Sequence, residues 1–127
     1  METLIRLDTH VVVWLFAGEV ERFSARAAER LAEEDLVISP IVDLELTYLF
    51  EVGRLRVPGT AIVSDLKERI GLQHSAQSLA SAVAAATPLD WTRDPFDRLI
   101  VGDAIGANSR LLTKDSTILA NCTLAEW

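Results

Sequence analysis

The chain has 127 residues, half of them hydrophobic and 24% charged, with a formal net charge of −7 at pH 7. That suits one globular domain, residues 1–127, with a core of its own, and it excludes a disordered chain. The acidity argues against a broad basic surface for nucleic acid. It does not argue against catalysis on nucleic acid, because metal-site carboxylates contribute to the charge and bound cations would reverse it locally. An acidic chain of this size also suits a basic protein partner. No apolar run reaches the roughly 18 residues of a membrane span, and the N-terminus lacks the basic region and cleavage site of a secretory signal. A cytoplasmic protein with no membrane association is the expectation. The single cysteine, Cys122, excludes an internal disulfide and a cysteine zinc site, and reads as a small buried apolar residue.

In chain order, Leu4–Leu7 reads as a strand. Thr9–Phe16 is ambiguous, since three consecutive valines favour a strand; Asp8 can cap a helix there, and helix is the expectation. Ser24–Glu33 reads as a helix, Leu36–Ile38 as a strand, then Pro40–Gly53 and Pro58–Ile70 as helices. A weaker strand around Leu72–His74 precedes a helix over Ala76–Ala86 and another over Pro95–Asn108. Leu111–Thr113 and Thr123–Leu124 complete the strands. Strands alternating with helices predict an α/β fold with a parallel sheet covered on both faces. Ligands of such sheets bind at the carboxyl ends of the strands, where Asp8 and Asp115 fall.

Four acids lie at or near the edges of apolar segments: Asp8, Glu45, Asp97 and Asp115. Three have ordinary structural readings. Asp8 can cap a helix and Asp115 the turn before Ile118; Asp94 looks like the cap of a helix whose first residue is Pro95, with Asp97 favoured by the helix dipole. Glu45 resists that treatment. At about 100° per residue, Ile41, Val42, Leu44, Leu46, Tyr48, Leu49 and Val52 form one broad arc with Glu45 near its middle, whereas Asp43 points away to solvent. A glutamate on a core-facing stripe is costly unless paired. Asp97 falls within the arc of Phe96, Ile100, Val101 and Ala104. Asp103 falls near it too, but about 9 Å further along the axis, and reads as structural or supporting. Gly102 and Gly106 lie one turn apart and could admit a neighbouring backbone.

Two like charges about 4 Å apart repel by roughly 4 kcal/mol at an effective dielectric near 20, so four converging carboxylates need protons or cations. Mg2+ and Mn2+ prefer such hard oxygen ligands, and one or two ions could activate water and polarise a phosphodiester. His10 and His74 form no ligand pair at helical spacing and read as structural or surface residues. Thr9, Thr113 and Asp94 are candidates for supporting the acids. Arg93, Arg98, Arg110 and Lys114 are candidate phosphate contacts, although solubility accounts for most of them, with Arg98 and Lys114 the leading pair.

Leu7-Asp8-Thr9-His10, Ile38-Ser39-Pro40 leading to Leu44-Glu45-Leu46, Arg93-Asp94-Pro95-Phe96-Asp97-Arg98-Leu99-Ile100 and Leu112-Thr113-Lys114-Asp115 together resemble PIN-domain ribonucleases, specifically VapC-type toxins of bacterial type II toxin–antitoxin systems. The Asp-Pro-Phe-Asp-Arg-Leu run is the most specific piece. The resemblance implies a Rossmann-like three-layer α/β/α fold with a short, mainly parallel sheet. It implies a Mg2+- or Mn2+-dependent endoribonuclease cutting structured RNA, tRNA or rRNA, through a quartet mapped onto Asp8, Glu45, Asp97 and Asp115, with Thr113 beside the last acid. It also implies a homodimer neutralised by a small antitoxin. The alternatives are a PIN-like nuclease of RNA processing or DNA metabolism without an antitoxin, and a non-catalytic α/β interaction module in which the acids are only caps and Glu45 pairs with an arginine.

Overall fold

The computed structural model describes residues 3–127. Among them, five strands and seven helices alternate along the chain. The order is β1 (Leu4–Leu7), α1 (Thr9–Ala17), α2 (Ala25–Glu33), β2 (Asp35–Ile38), α3 (Pro40–Glu51), α4 (Gly59–Ile70), β3 (Gln73–His74), α5 (Leu79–Ala86), α6 (Pro95–Gly106), β4 (Leu111–Leu112), α7 (Ser116–Asn121) and β5 (Ala125–Glu126). A short 3-10 turn, Val20–Arg22, joins α1 to α2. The sheet runs β3-β2-β1-β4-β5 and every pairing is parallel. This is the expected three-layer α/β/α architecture.

The ambiguous valine segment is helical. Asp8 caps it, its Oδ1 accepting from the Thr9 N–H at 2.8 Å, and Gly18 closes it in the left-handed region. Ends differ from expectation where capping chemistry intervenes. α5 starts at Leu79 because the Ser78 hydroxyl accepts from the Ser81 N–H, while Ser75 and Gln77 form the preceding turn. α3 stops at Glu51 and the chain reverses at Gly53, whose φ is +83°. The last strand lies at Ala125–Glu126 rather than Thr123–Leu124, and α7 is a full short helix where only a turn was expected.

The core centres on β1, β2 and β4, with Ile5, Leu7, Ile38, Leu111 and Leu112 all buried beneath Val11, Val12, Leu46, Leu66 and Ile100. Within it lies one buried ion pair. Arg6 on β1 donates through Nε to Asp103 on α6 at 2.7 Å, and Ser75 bridges both residues, accepting from Arg6 at 2.9 Å and donating to Asp103 at 3.0 Å. Asp103 is thereby structural, joining α6 to the central strand and the segment after β3. The Gly102 prediction holds as well: a Cβ there would lie 2.5 Å from the Ala82 carbonyl oxygen, so α5 and α6 meet backbone to backbone.

Candidate metal centre

Parallel register aligns the carboxyl ends of β1 and β4, pairing Leu7 with Leu112. The next residues, Asp8 and Thr113, therefore sit side by side, and the Thr113 hydroxyl donates to Asp8 Oδ2 at 2.7 Å. The same hydroxyl oxygen accepts the Asp115 N–H at 3.1 Å. Asp115 in turn caps α7, its Oδ1 accepting from the N–H groups of Thr117 and Ile118, both at 2.9 Å. β2 delivers α3 from the next strand end, with Ser39 as cap and Pro40 at the first turn, and Glu45 arrives on the face turned to the sheet. Its Oε1 accepts from Thr9 Oγ1 of α1 at 2.5 Å. α6 brings Asp97, and Asp94 holds that helix start by accepting from the N–H groups of Phe96 and Asp97 at 2.8 and 3.1 Å.

Asp8, Glu45, Asp94, Asp97 and Asp115 line one cleft of about 470 Å³, walled by Tyr48, Leu49 and Phe96 and edged by His10 and Arg54. The four acids of the quartet thus share one cavity although they come from four different elements. None of them forms an ion pair among the described residues. The capping account is geometrically correct for Asp8 and Asp115, yet each cap uses one carboxylate oxygen only; the second oxygen of Asp8 takes the Thr113 hydroxyl and that of Asp115 is left for different work. Glu45 pairs with a threonine and not with an arginine, which removes the support the interaction-module reading required.

Burial and mutual repulsion act together on these groups. Asp97 is pushed up to about 7, first by burial and then by the charges of Asp8, Asp94, Glu45 and Asp115. Burial also raises Glu45, with Asp8 and Asp94 adding to it and the Thr9 hydrogen bond opposing it. Asp8 is raised by burial against the donors of Thr113 and Thr9. Burial leads all three shifts, and at Asp97 and Glu45 the charges of neighbouring carboxylates add to it. A hard divalent cation fits such a donor set: carboxylate oxygens, no soft ligand and no competing basic side chain within it. Among the described residues, no three Asp, Glu, His or Cys side chains draw close enough to enclose an ion. The open arrangement suits an ion that keeps several waters and takes one or two carboxylates directly.

Several sequence-level assignments shift. The buried face of α3 is Val42, Glu45, Leu46 and Leu49, while Leu44, Tyr48 and Val52 of the expected arc are about half exposed. Glu45 is more securely buried than the arc suggested, at 8% exposure. Asp43 is not simply solvated but accepts from His74 Nε2 at 2.8 Å, tying α3 to β3. Arg98 does not face the cleft. Its guanidinium donates to the Ala86 and Thr87 carbonyls at 3.0 and 2.7 Å, satisfying the end of α5, so its assignment as an RNA contact gives way to a capping role. Lys114 stays at the site, in a hollow beside Asp8 and Asp115. Arg54 was not anticipated, because only the reversal at Gly53 turns it toward the cleft.

The chain matches the PIN domain family over residues 5–122. It is 34% identical over 116 residues to Ribonuclease VapC22 of Mycobacterium tuberculosis, a match covering 89% of this chain and 88% of that protein. In fold it is similar to VapBC2 from Rickettsia felis, solved bound to a DNA fragment from their promoter, with a TM-score of 0.69 at 19% identity over 98% of this chain and 99% of that one. It is also similar to VapBC-1 from nontypeable Haemophilus influenzae, with a TM-score of 0.60 at 18% identity, covering 98% and 96%. No helix among the described residues is long and apolar enough to cross a membrane. With the family matched across nearly its whole length and the four acids gathered at the strand ends, the chain belongs to the PIN-domain family and is of the VapC type.

Proposed function

We propose that this protein is a Mg2+- or Mn2+-dependent endoribonuclease, the toxin of a type II toxin–antitoxin pair, hydrolysing phosphodiester bonds in structured RNA. The observation that carries the reading is the convergence of Asp8, Glu45, Asp97 and Asp115 on one cleft, none of them in an ion pair among the described residues. Identity to a ribonuclease of the VapC type supports it. One or two of the four carboxylates would hold the ion directly and the others through its waters, and the ion when bound supplies Lewis acidity at the phosphate and a more acidic water. The chain's own residues hold the geometry. Thr113 fixes Asp8 and the start of α7 together, Thr9 fixes Glu45 against α1, and Asp94 anchors the turn that presents Asp97. Leu49, Tyr48 and Phe96 form one wall, and Arg54 and Lys114 stand at the rim as phosphate contacts.

The partner assignments extend the same reading. An antitoxin that covers the cleft would complement its acidity with basic side chains, and the VapBC architecture of the structural neighbours supports such a partner. A homodimer fits the exposed apolar side of α3 and α5, where Leu44 and Leu79 are 56% and 72% exposed around a groove of about 270 Å³. Function in the cytoplasm follows from an RNA substrate. The deciding experiment is incubation of total tRNA and ribosomal RNA with the purified protein and Mn2+, with and without EDTA. Cleavage lost with EDTA and in Asp8→Asn is the expected result; cleavage that survives both overturns the mechanism.

A further inference from the structure

The acidic cleft continues sideways into a second hollow of about 290 Å³, lined by Asp8, His10, Trp14, Lys114 and Asp115. Asp8, His10 and Asp115 border both spaces. The wall of this hollow is aromatic: His10 and Trp14 lie one turn apart on α1, ring centroids 6.1 Å apart with 44° between their planes. Trp14 is braced from outside by the edge of Trp127, at 5.9 Å and 69°, and Phe23 meets Trp127 in turn at 5.9 Å. Two cations attend the indole, the Arg22 guanidinium carbon at 5.2 Å and Lys114 Nζ at 6.0 Å from its centroid. A tryptophan in this position ordinarily serves the core, yet Trp14 is only partly buried and His10 and Lys114 are exposed. The braced ring is partly buried and lines the hollow, next to the site where a phosphate would be cut.

We propose that this hollow is a base-stacking subsite, in which the nucleobase adjoining the scissile phosphate packs against Trp14 and His10 while Lys114 takes the neighbouring phosphate. The proposal takes its substrate, RNA, from the nuclease reading above. Stacking on an aromatic side chain is the usual way an unpaired base is held, and it tolerates every base because each has a π-face. The shared border at Asp8 and Asp115 sets the geometry, since a base in one space leaves its sugar-phosphate at the mouth of the other. Four of the five lining residues are polar or charged, which suits a base and its phosphate better than the apolar anchor of a protein partner. The substrate would therefore present an unpaired or extruded nucleotide beside the cut.

The test uses a short RNA that the wild-type protein cleaves and a series of the same RNA with one abasic residue at each position around the cut. Cleavage is measured with Mn2+, and equilibrium binding of the same series is measured in EDTA, for wild type, Trp14→Ala, Trp14→Phe and Lys114→Met. One abasic position should lower kcat/KM of the wild type by about 5- to 150-fold, the range expected for loss of one stacked base. The same position should cost Trp14→Ala almost nothing further, with Trp14→Phe in between. Lys114→Met tests the subsite without disturbing the Trp127 contact and should weaken the intact RNA but remain sensitive to the abasic position. A wild type indifferent to every abasic position overturns the subsite, as does a Trp14→Ala protein that keeps the full sensitivity. Unchanged RNA parameters in Trp14→Ala together with a weakened complex with a protein partner would make the hollow a protein-docking surface and overturn it equally. Should the wild type show no metal-dependent cleavage, the nuclease reading fails, and base-dependent binding alone then decides the subsite.

Discussion

The Thr113 hydroxyl spans two members of the quartet, giving its proton to Asp8 and accepting the Asp115 N–H. It is fully buried, so no water can replace it without opening the strand ends. Thr113→Val keeps the shape and removes both interactions, leaving a buried carboxylate oxygen without a donor at a cost of about 1–3 kcal/mol. We expect an unfolding free energy in urea lower by that amount and weaker Mn2+ binding in calorimetric titration, with Thr113→Ser close to wild type in both. A wild-type Mn2+ affinity in Thr113→Val would show that Asp8 needs no positioning. Thr9 plays the matching part for Glu45 across 36 residues of sequence. The sequence marks Thr9 as a supporting residue but not which acid it supports, since the link to Glu45 forms only in the fold.

Among the elements, α6 carries the most at once: Asp94 and Asp97 at its start, Asp103 in the core ion pair, and Gly102 against α5. In Gly102→Ala the added methyl meets the Ala82 carbonyl oxygen and the Ala86 backbone nitrogen, neither of which can turn aside as a side chain can. Overpacking of this kind costs about 1–3 kcal/mol, and here it would also push away the helix that presents Asp97. Reduced thermal stability and reduced cleavage should therefore appear together. The exposed side of α3 and α5 makes a separate prediction: Leu44→Glu with Leu79→Glu should be monomeric by light scattering under conditions where the wild type is dimeric. The element order and parallel sheet were readable because strand and helix periods alternate cleanly, and the close approach at Gly102 because two glycines stack one turn apart. What periodicity misled was the orientation of α3. Its apolar residues occupy two faces, one on the core and one exposed, and a helical wheel sums them into a single arc. Helix starts set by Ser78, and the sideways turn of Arg98 onto the end of α5, were equally out of reach, since both depend on which hydrogen-bond partners the fold brings near.

Seen across the whole molecule, the quartet is a local debt of charge that folding must carry. Asp97 sits near 7 in the folded protein against about 3.9 in an unfolded chain, and Asp8 and Glu45 shift in the same direction. The folded state therefore binds more protons than the unfolded state between these values, and stability must fall as pH rises from about 4 to about 7. Burial is the first cause of the Asp97 shift, and the repulsion that adds to it is the part a divalent cation would relieve. Without metal, the urea midpoint should decline across that window, and in Asp97→Asn it should decline less and lie above the wild type at pH 7. Saturating Mn2+ should restore the wild type at pH 7, by about 2.7 kcal/mol at a hundredfold excess over Kd, because the ion binds only the folded state. Asp97→Asn should gain much less from Mn2+ and should not cleave RNA, so that the variant more stable without metal is the inactive one. Equal stability of wild type and Asp97→Asn at pH 7 in EDTA would mean that the carboxylates do not repel as their shared cleft requires, and the case for a cation among them would fall with it.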